Sequence, residues 1–178
     1  KNRLYEFTRD IVLMKIMIER ELLLTPLQLI SGVVERRQTL PILSTVLMVA
    51  EQQSLSLVAT NLEVELIGKI LLDDKSILQT GQVAVSAHKL MDICRLLPEK
   101  TVLELFFDEN QLVMRCGRSR FALSVLPAQD FPETEKYSDL IQFSVPQNQF
   151  RKLIEKTSFS MADQDIRYFL NGLQLQIH

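Results

Sequence analysis

Two stretches decide the fold: VAVSAHKLMDICRLL at residues 83–97 and FSVPQNQFRKLIEKT at residues 143–157. When they are superposed, Val85 matches Val145, Leu90 matches Phe150, Ile93 matches Leu153 and Cys94 matches Ile154. Each reads as a short alternating strand that runs into a helix with apolar residues at i, i+3 and i+4. Ser86 stands where an N-cap is needed for the first of these helices. A weaker copy, IMIERELLLTPLQLI at 16–30, puts Ile18 in the place of Val85 and Leu23 in that of Leu90. The copies start roughly 60 to 67 residues apart, an internal repeat. Pro26 falls inside the helix of the weaker copy, which predicts either a kink there or a later helix start capped by Thr25.

The segments after the helices repeat as well. VLMVAEQQSLSLVATNLEVEL (46–66) and TVLELFFDENQLVMRCGRSRFALSV (101–125) both read as strand, polar turn, strand, short turn, strand. The turns fall at Glu51-Gln52-Gln53-Ser54 and Asp108-Glu109-Asn110. Alternation is clearest at Phe121, Leu123 and Val125, with Arg120, Ala122 and Ser124 on the opposite face. After the third helix comes IRYFLNGLQLQIH, read as a strand over 166–177.

The predicted unit is therefore one strand, one helix and three or more antiparallel strands, an α+β architecture. Two such units occupy 14–142 as one domain, and a third opens at 143 and is cut short within 143–178. Residues 1–13, upstream of Met14, are expected to lie outside the fold as an extension or an expression remnant. A lone unit leaves one sheet face and one helix stripe uncovered. Pairing two units buries both, with the helices at about 22–34 and 88–97 side by side on one face and the sheets outside.

Composition narrows the function. The chain has 178 residues, 47% hydrophobic and 24% charged, with net charge −2. Such a balance excludes a disordered tail and disfavours a compact sequence-specific DNA reader, which is usually basic. With only five glycines, neither the Walker nor the dinucleotide phosphate cradle occurs. Cys94 and Cys116 are in no metal spacing, and of the two histidines only His88 is internal. The cysteines read as reduced thiols of a cytoplasmic protein. No apolar run reaches membrane-spanning length, and no signal peptide is visible. No cofactor or metal is expected.

Charge is unevenly spread. The helix window 86–97 carries +1 and the window 147–157 carries +2, whereas 21–37 is neutral and the rest of the chain is acidic. One reading is a set of solvated helix faces; the other is a helix layer turned towards a polyanion, with an acidic exterior.

The strings QTLPIL (38–43), DICRLLP (92–98), GRSRFALSVLPAQDFP (117–132) and QDIRYFLNG (164–172) resemble the bacterial sliding clamp family, the beta subunits of the replicative DNA polymerase holoenzyme. The resemblance runs from Met14 to the end. It implies the DNA clamp fold, with three similar domains per chain, each of two units, and two chains closing head to tail into a homodimeric ring. Helices would line the hole and sheets form the outer wall. It also implies a processivity factor rather than an enzyme, which encircles double-stranded DNA and tethers the replicative polymerase. Polymerase and clamp loader would be met through clamp-binding peptides.

The resemblance also carries residue roles. Arg37 and Gln164 match DNA-contacting positions; without it they read as a loop arginine and a turn residue. His88 stands where the family often has arginine, and a neutral imidazole holds phosphate less well. Lys89, Ile93, Arg118, Arg120, Phe121 and Leu123 match the first-domain side of the ring-closing interface. There the arginines would meet acidic partners, and Phe121 and Leu123 would form the apolar centre. Core burial explains Phe121 and Leu123 equally well. Gln111 replaces an arginine of some relatives. Arg167 and Leu170 match one wall of the peptide pocket, and Phe169 beside them is expected to pack.

The rival reading is an α+β small-molecule-binding or enzymatic domain. It requires convergent polar groups around an acid–base residue, and no partner for His88 is evident by spacing.

Overall fold

The computed structural model describes residues 14–34, 40–73, 75–132 and 143–176. Chain contacts divide it into two compact units, Lys1–Thr134 and Glu135–His178.

The first unit opens with strand β1 (Lys15–Glu19), where Ile16 and Ile18 point into the core and Met17 points out. Helix α1 (Arg20–Ile30) comes next without a loop and buries Leu23, Leu27 and Ile30, one stripe at i, i+4 and i+7. It runs unbroken through Pro26, so neither a later start nor a Thr25 cap is used. Strands β2 (Thr45–Glu51), β3 (Ser54–Thr60) and β4 (Glu65–Leu71) form a meander. A short β5 (Ile77–Gln79) leads into the second copy. That copy comprises β6 (Gly81–Ser86), α2 (Ala87–Leu96), β7 (Val102–Asp108), β8 (Gln111–Cys116) and β9 (Ser119–Leu126). Ser86 is the N-cap residue of α2, but its hydroxyl makes no capping bond.

Local chemistry sets the turns. Asn61 Oδ1 accepts from the N–H groups of Glu63 and Val64 and closes the β3–β4 connection. Gly117 takes φ +56° in the two-residue β8–β9 turn, a left-handed conformation that glycine adopts without penalty.

All pairings are antiparallel, and the order is β4-β3-β2-β6-β9-β8-β7-β1-β5. The units exchange their first strands. β1 pairs along its whole length with β7, and β6 pairs with β2. The halves are stitched at Ala84–Leu126 and Val85–Val125, a contact confined to the last part of β9. Both helices lie against one continuous core that joins Leu23, Leu27, Leu90 and Cys94 to Met48, Leu57, Leu105 and Met114. Burying one such leucine contributes about 1.5–3 kcal/mol.

α1 reaches β4 at an unusual closeness. A Cβ added at Gly68 would lie 3.0 Å from Cβ of Pro26 and 3.8 Å from Cγ2 of Ile30. The proline inside α1 thus sits over the one position of β4 that has no side chain.

In the second unit, helix α3 (Gln147–Thr157) carries no buried residue. Two expectations fail here. Residues 143–146, read as a strand, pair with nothing described. The strand expected over 166–177 is absent among the described residues: Tyr168–Asn171 forms a 3₁₀ turn and 173–176 has no regular structure. The physical reason is the missing ladder, since a strand is held by the backbone bonds of its neighbour.

Candidate functional site

The helix pair is the centre of the first unit. α1 and α2 lie side by side, with the N-terminus of each beside the C-terminal end of the other. Arg20 Nε donates to the carbonyl of Cys94 at 2.6 Å, and Nη2 donates to that of Arg95 at 3.4 Å. The Arg20 backbone N–H donates to Thr101 O at 2.8 Å. Glu21 Oε1 accepts from Arg20 Nη1 at 2.9 Å and from the Lys100 N–H at 3.0 Å. The Lys100 bond is the leading cause that holds the Glu21 carboxyl below its ordinary value, with Arg20 adding to it. At the other end His88 Nε2 meets the carbonyl of Val34 at 3.1 Å. A carbonyl only accepts, so this nitrogen carries the proton. Burial pushes the Cys94 thiol, inside the pair, up to about 11.

Sequence reasoning did not single out Arg20 or Glu21. The available signal was a charged pair set at a strand–helix junction with no intervening loop.

The predicted interface residues fall on α2 and β9. Ile93 is half-buried on α2, and Lys89 is exposed one turn before it. Phe121 and Leu123 occupy the helix-facing side of β9, opposite Met114 and Leu112. Leu123 is 6% exposed within the core, whereas Phe121 and Ile93 pack against its margin. The structure therefore places Ile93, Phe121 and Leu123 on one apolar cluster. Arg118 is exposed beside Gly117. Arg120 lies on the outer sheet face, 3.9 Å from Asp108 Oδ2. Gln111 opens β8 opposite Ser124 and Asp108. The outer face also carries an unforeseen ladder. Glu104 pairs with Lys15 at 2.9 Å and Arg115 at 3.8 Å, and both cations lie over the ring of Phe106.

The DNA-contact candidates do not converge in one unit. Arg37 lies outside the described residues. His88 is half-buried, with Nε2 engaged and Nδ1 enclosed without a partner, so as placed it offers no ring nitrogen to a phosphate. The exposed charge of α2 is Lys89, together with Asp92 and Arg95, which pair at 3.8 Å.

In the second unit Gln164 is exposed in the loop after α3, at φ +55°. Arg167 and Leu170 are brought together by the 3₁₀ turn, where the Leu170 N–H donates to Arg167 O at 2.8 Å. The Arg167 guanidinium grips Asp165 with two bonds, at 3.1 and 3.0 Å. It thereby holds that carboxyl below its ordinary value. Phe169, expected to pack, is 67% exposed and meets Tyr168 edge to face. α3 presents Lys152 and Lys156, and its Arg151 pairs with Glu155 at 2.7 Å.

A cleft of about 300 Å³, between the end of β1 and the segment after β4, is lined in part by Met17, Glu19, Leu22, Leu71, Asp73 and Val102. It contains none of the candidate residues. Among the described residues no group of three or more His, Cys, Asp or Glu could hold a metal ion.

The N-terminal domain model of the DNA polymerase III beta subunit matches residues 14–135, and its central-domain model matches residues 144–178. The chain belongs to the DNA polymerase III beta subunit family. The beta sliding clamp of Pseudomonas aeruginosa is 52% identical over 161 residues, 90% of this chain and 43% of that protein. That of Vibrio cholerae is 46% identical over 92% of this chain and 44% of its own length. The crystal structure of the DNA polymerase III subunit beta from Pseudomonas aeruginosa superposes with a TM-score of 0.85, at 52% identity, over 89% of this chain and 43% of that one. The chain thus spans less than half the length of these beta subunits. The N-terminal domain match spans both the exchanged strands and the helix pair, and of these the repeat in the sequence foreshadowed the helix pair alone.

Proposed function

We propose that this chain forms part of a DNA sliding clamp, a non-enzymatic processivity factor that encircles duplex DNA and tethers the replicative polymerase. The observation that carries the reading is the match to two successive beta-subunit domains, 14–135 and 144–178. The paired helices on one side of the sheet supply the surface that would line the hole. In this reading 14–142 is the first clamp domain and 143–178 the start of the second.

The mechanism is topological. A closed ring cannot leave DNA without opening, so its phosphate contacts can be few, weak and independent of sequence. The modest charge of the helix faces suits that demand: Asp92 offsets Arg95 and Glu155 offsets Arg151, which leaves Lys89, Lys152 and Lys156. Arg37 and Gln164 join them as phosphate contacts, and His88 supports the helix pair instead. Lys89, Ile93, Arg118, Arg120, Phe121 and Leu123 form the first-domain side of the ring-closing interface in a homodimer. Arg167 and Leu170 form one wall of the pocket for clamp-binding peptides of polymerase and clamp loader. The ring hydrolyses no nucleotide, and the loader supplies that energy. The sliding-clamp reading puts the protein in the cytoplasm, where the DNA it would encircle lies. No described helix is long and apolar enough to cross a membrane.

The test is retention. A full-length chain carrying these residues is loaded onto nicked circular DNA by a clamp loader and separated by gel filtration. It should stay with the circle and be lost once the DNA is linearised. Equal retention on both forms, or a marked preference for one DNA sequence, would overturn the reading.

A further inference from the structure

The two ends of the helix pair are tied unequally. One bond, from His88 to Val34, joins the start of α2 to the segment just after α1. At the opposite end, Arg20 and Glu21 make four bonds to the backbone of residues 94–101: to Cys94, Arg95, Lys100 and Thr101. The last carbonyls of a helix have no partner within it, and a cation there also meets the negative end of the helix dipole. The Arg20 side chain is only 13% exposed, so water does little to replace these bonds. Glu21 holds the turn beyond α2, in which Lys100 sits at φ +57°. Such a conformation costs a residue other than glycine about 1 kcal/mol or more and persists only where its surroundings impose it.

We propose that Arg20 and Glu21 are a positioning pair for the ring-closing surface. This rests on the clamp reading. Apolar packing alone sets the axial register of a helix only loosely, because neighbouring side chains can trade places in the same grooves. A guanidinium bound to two particular carbonyls fixes both the register and the rotation of the helix. Ile93 immediately precedes Cys94, and Lys89 lies one turn further back, so both ride on the gripped segment. Phe121 and Leu123 belong to β9, which is held by its sheet neighbours. The Arg20 bonds therefore set where Ile93 stands relative to Phe121 and Leu123, hence the shape that a partner must match. Loss of a charged hydrogen bond costs about 1.5–3 kcal/mol, enough to let this end of α2 fray.

The experiment uses the full-length chain with Arg20→Met, which keeps the apolar stem and removes the side-chain donors, and with Arg20→Lys, which restores a single ammonium without the guanidinium fork. Amide hydrogen exchange reads the segment 94–101. Exchange of subunits between two fluorescently labelled ring populations reads ring lifetime. Arg20→Met should speed amide exchange over 94–101, leave β2–β4 at the parental rate and accelerate subunit exchange roughly tenfold, the equivalent of about 1.4 kcal/mol. Arg20→Lys should recover part of both effects. If Arg20→Met does not fold, Glu21→Gln should shift both readouts in the same direction by a smaller factor. A loosened 94–101 segment with unchanged subunit exchange overturns the proposal and leaves the clamp reading standing. An unmodified full-length chain that forms no ring overturns both.

Discussion

Replacing Gly68 by alanine tests the closest approach in the first unit. Gly68 lies on the inward face of β4 between Leu66 and Ile70, directly under Pro26 of α1. The new Cβ would stand 3.0 Å from the Pro26 Cβ, whereas two carbons prefer about 3.5–4.0 Å. A flexible side chain could swing aside. Pro26 cannot, because its ring closes onto its own backbone nitrogen, so relief must come from a shift of α1 or β4. Overpacking of that kind costs about 1–3 kcal/mol. Against it stands a gain of about 0.5–1 kcal/mol, because glycine within a strand gives up more freedom on folding than alanine. The difference spans about 0–2.5 kcal/mol, and because Pro26 cannot yield, Gly68→Ala should destabilise by about 1 kcal/mol. The assay is thermal unfolding, where each kcal/mol moves Tm by about 3–5 °C in a unit of this size. Ile67→Ala, on the exposed outer face next door, should stay within about 0.5 kcal/mol of the parent. A Gly68→Ala chain as stable as the parent, or more so, would refute the close packing of α1 on β4.

Leu90→Ala, at a fully buried position of α2, should cost about 2–5 kcal/mol in urea titration. Glu21→Gln should lose stability only at higher pH: the Glu21 carboxyl sits below its ordinary 4.5, so its contribution is whole above that pH and disappears as pH falls through its lowered folded value. A series of urea midpoints against pH should show the two proteins converging in acid. Cys94, with its thiol pushed up to about 11 and shut inside the helix pair, should react with a thiol reagent at pH 8 far more slowly than the half-buried Cys116, as a two-phase labelling trace would show. Arg37→Ala in the full-length ring should weaken DNA binding to the same degree on every sequence and make the salt dependence shallower; unchanged binding would remove Arg37 from the contact set.

The fold was legible where a pattern repeats. The alternation of Ile16 and Ile18, the stripe of Leu90 and Cys94 and the polar turns locate strands and helices because each depends on local periodicity. The exchange of β1 and β6 between the units was not legible: Ile16 and Val85 show the same alternation whichever strand they join, and partner choice is settled only by long-range packing. Pro26 misled for a related reason. Its cost inside a helix is a local property, yet the bare surface of Gly68, 42 residues along, makes room for it. The candidate interface was read from matched strings rather than from physics. The sequence could place Phe121 and Leu123 on one strand face but could not say that Leu123 is core while Phe121 lies at its margin. Arg20 and Glu21 were missed because their partners are backbone groups, which have no signature in side-chain identity.

α2 and α3 share a pattern and differ in fate. Leu153 and Ile154 of α3 occupy the repeat positions of Ile93 and Cys94, yet they are 59% and 40% exposed, whereas Cys94 is fully buried. Part of the difference is composition, since α2 (AHKLMDICRL) is richer in apolar residues than α3 (QNQFRKLIEKT). The rest is the company. α2 lies against a sheet whose strands come from both copies of the repeat: β1 completes the β7–β9 meander, and β6 completes the β2–β4 meander. Neither copy owns a finished sheet: α1 lies over β3 and β4 of its own copy, whereas α2 lies over its own β6 and over β2 of the other. An amphipathic stripe is thus a demand for a surface, and within 14–132 that demand is met by a sheet built from both copies. The described residues of 143–176 present the same stripe with no strands to receive it. The helices themselves meet side by side, α1 over β3 and β4 and α2 over β2 and β6, and the backbone ties at Cys94, Arg95 and Val34 hold the two together.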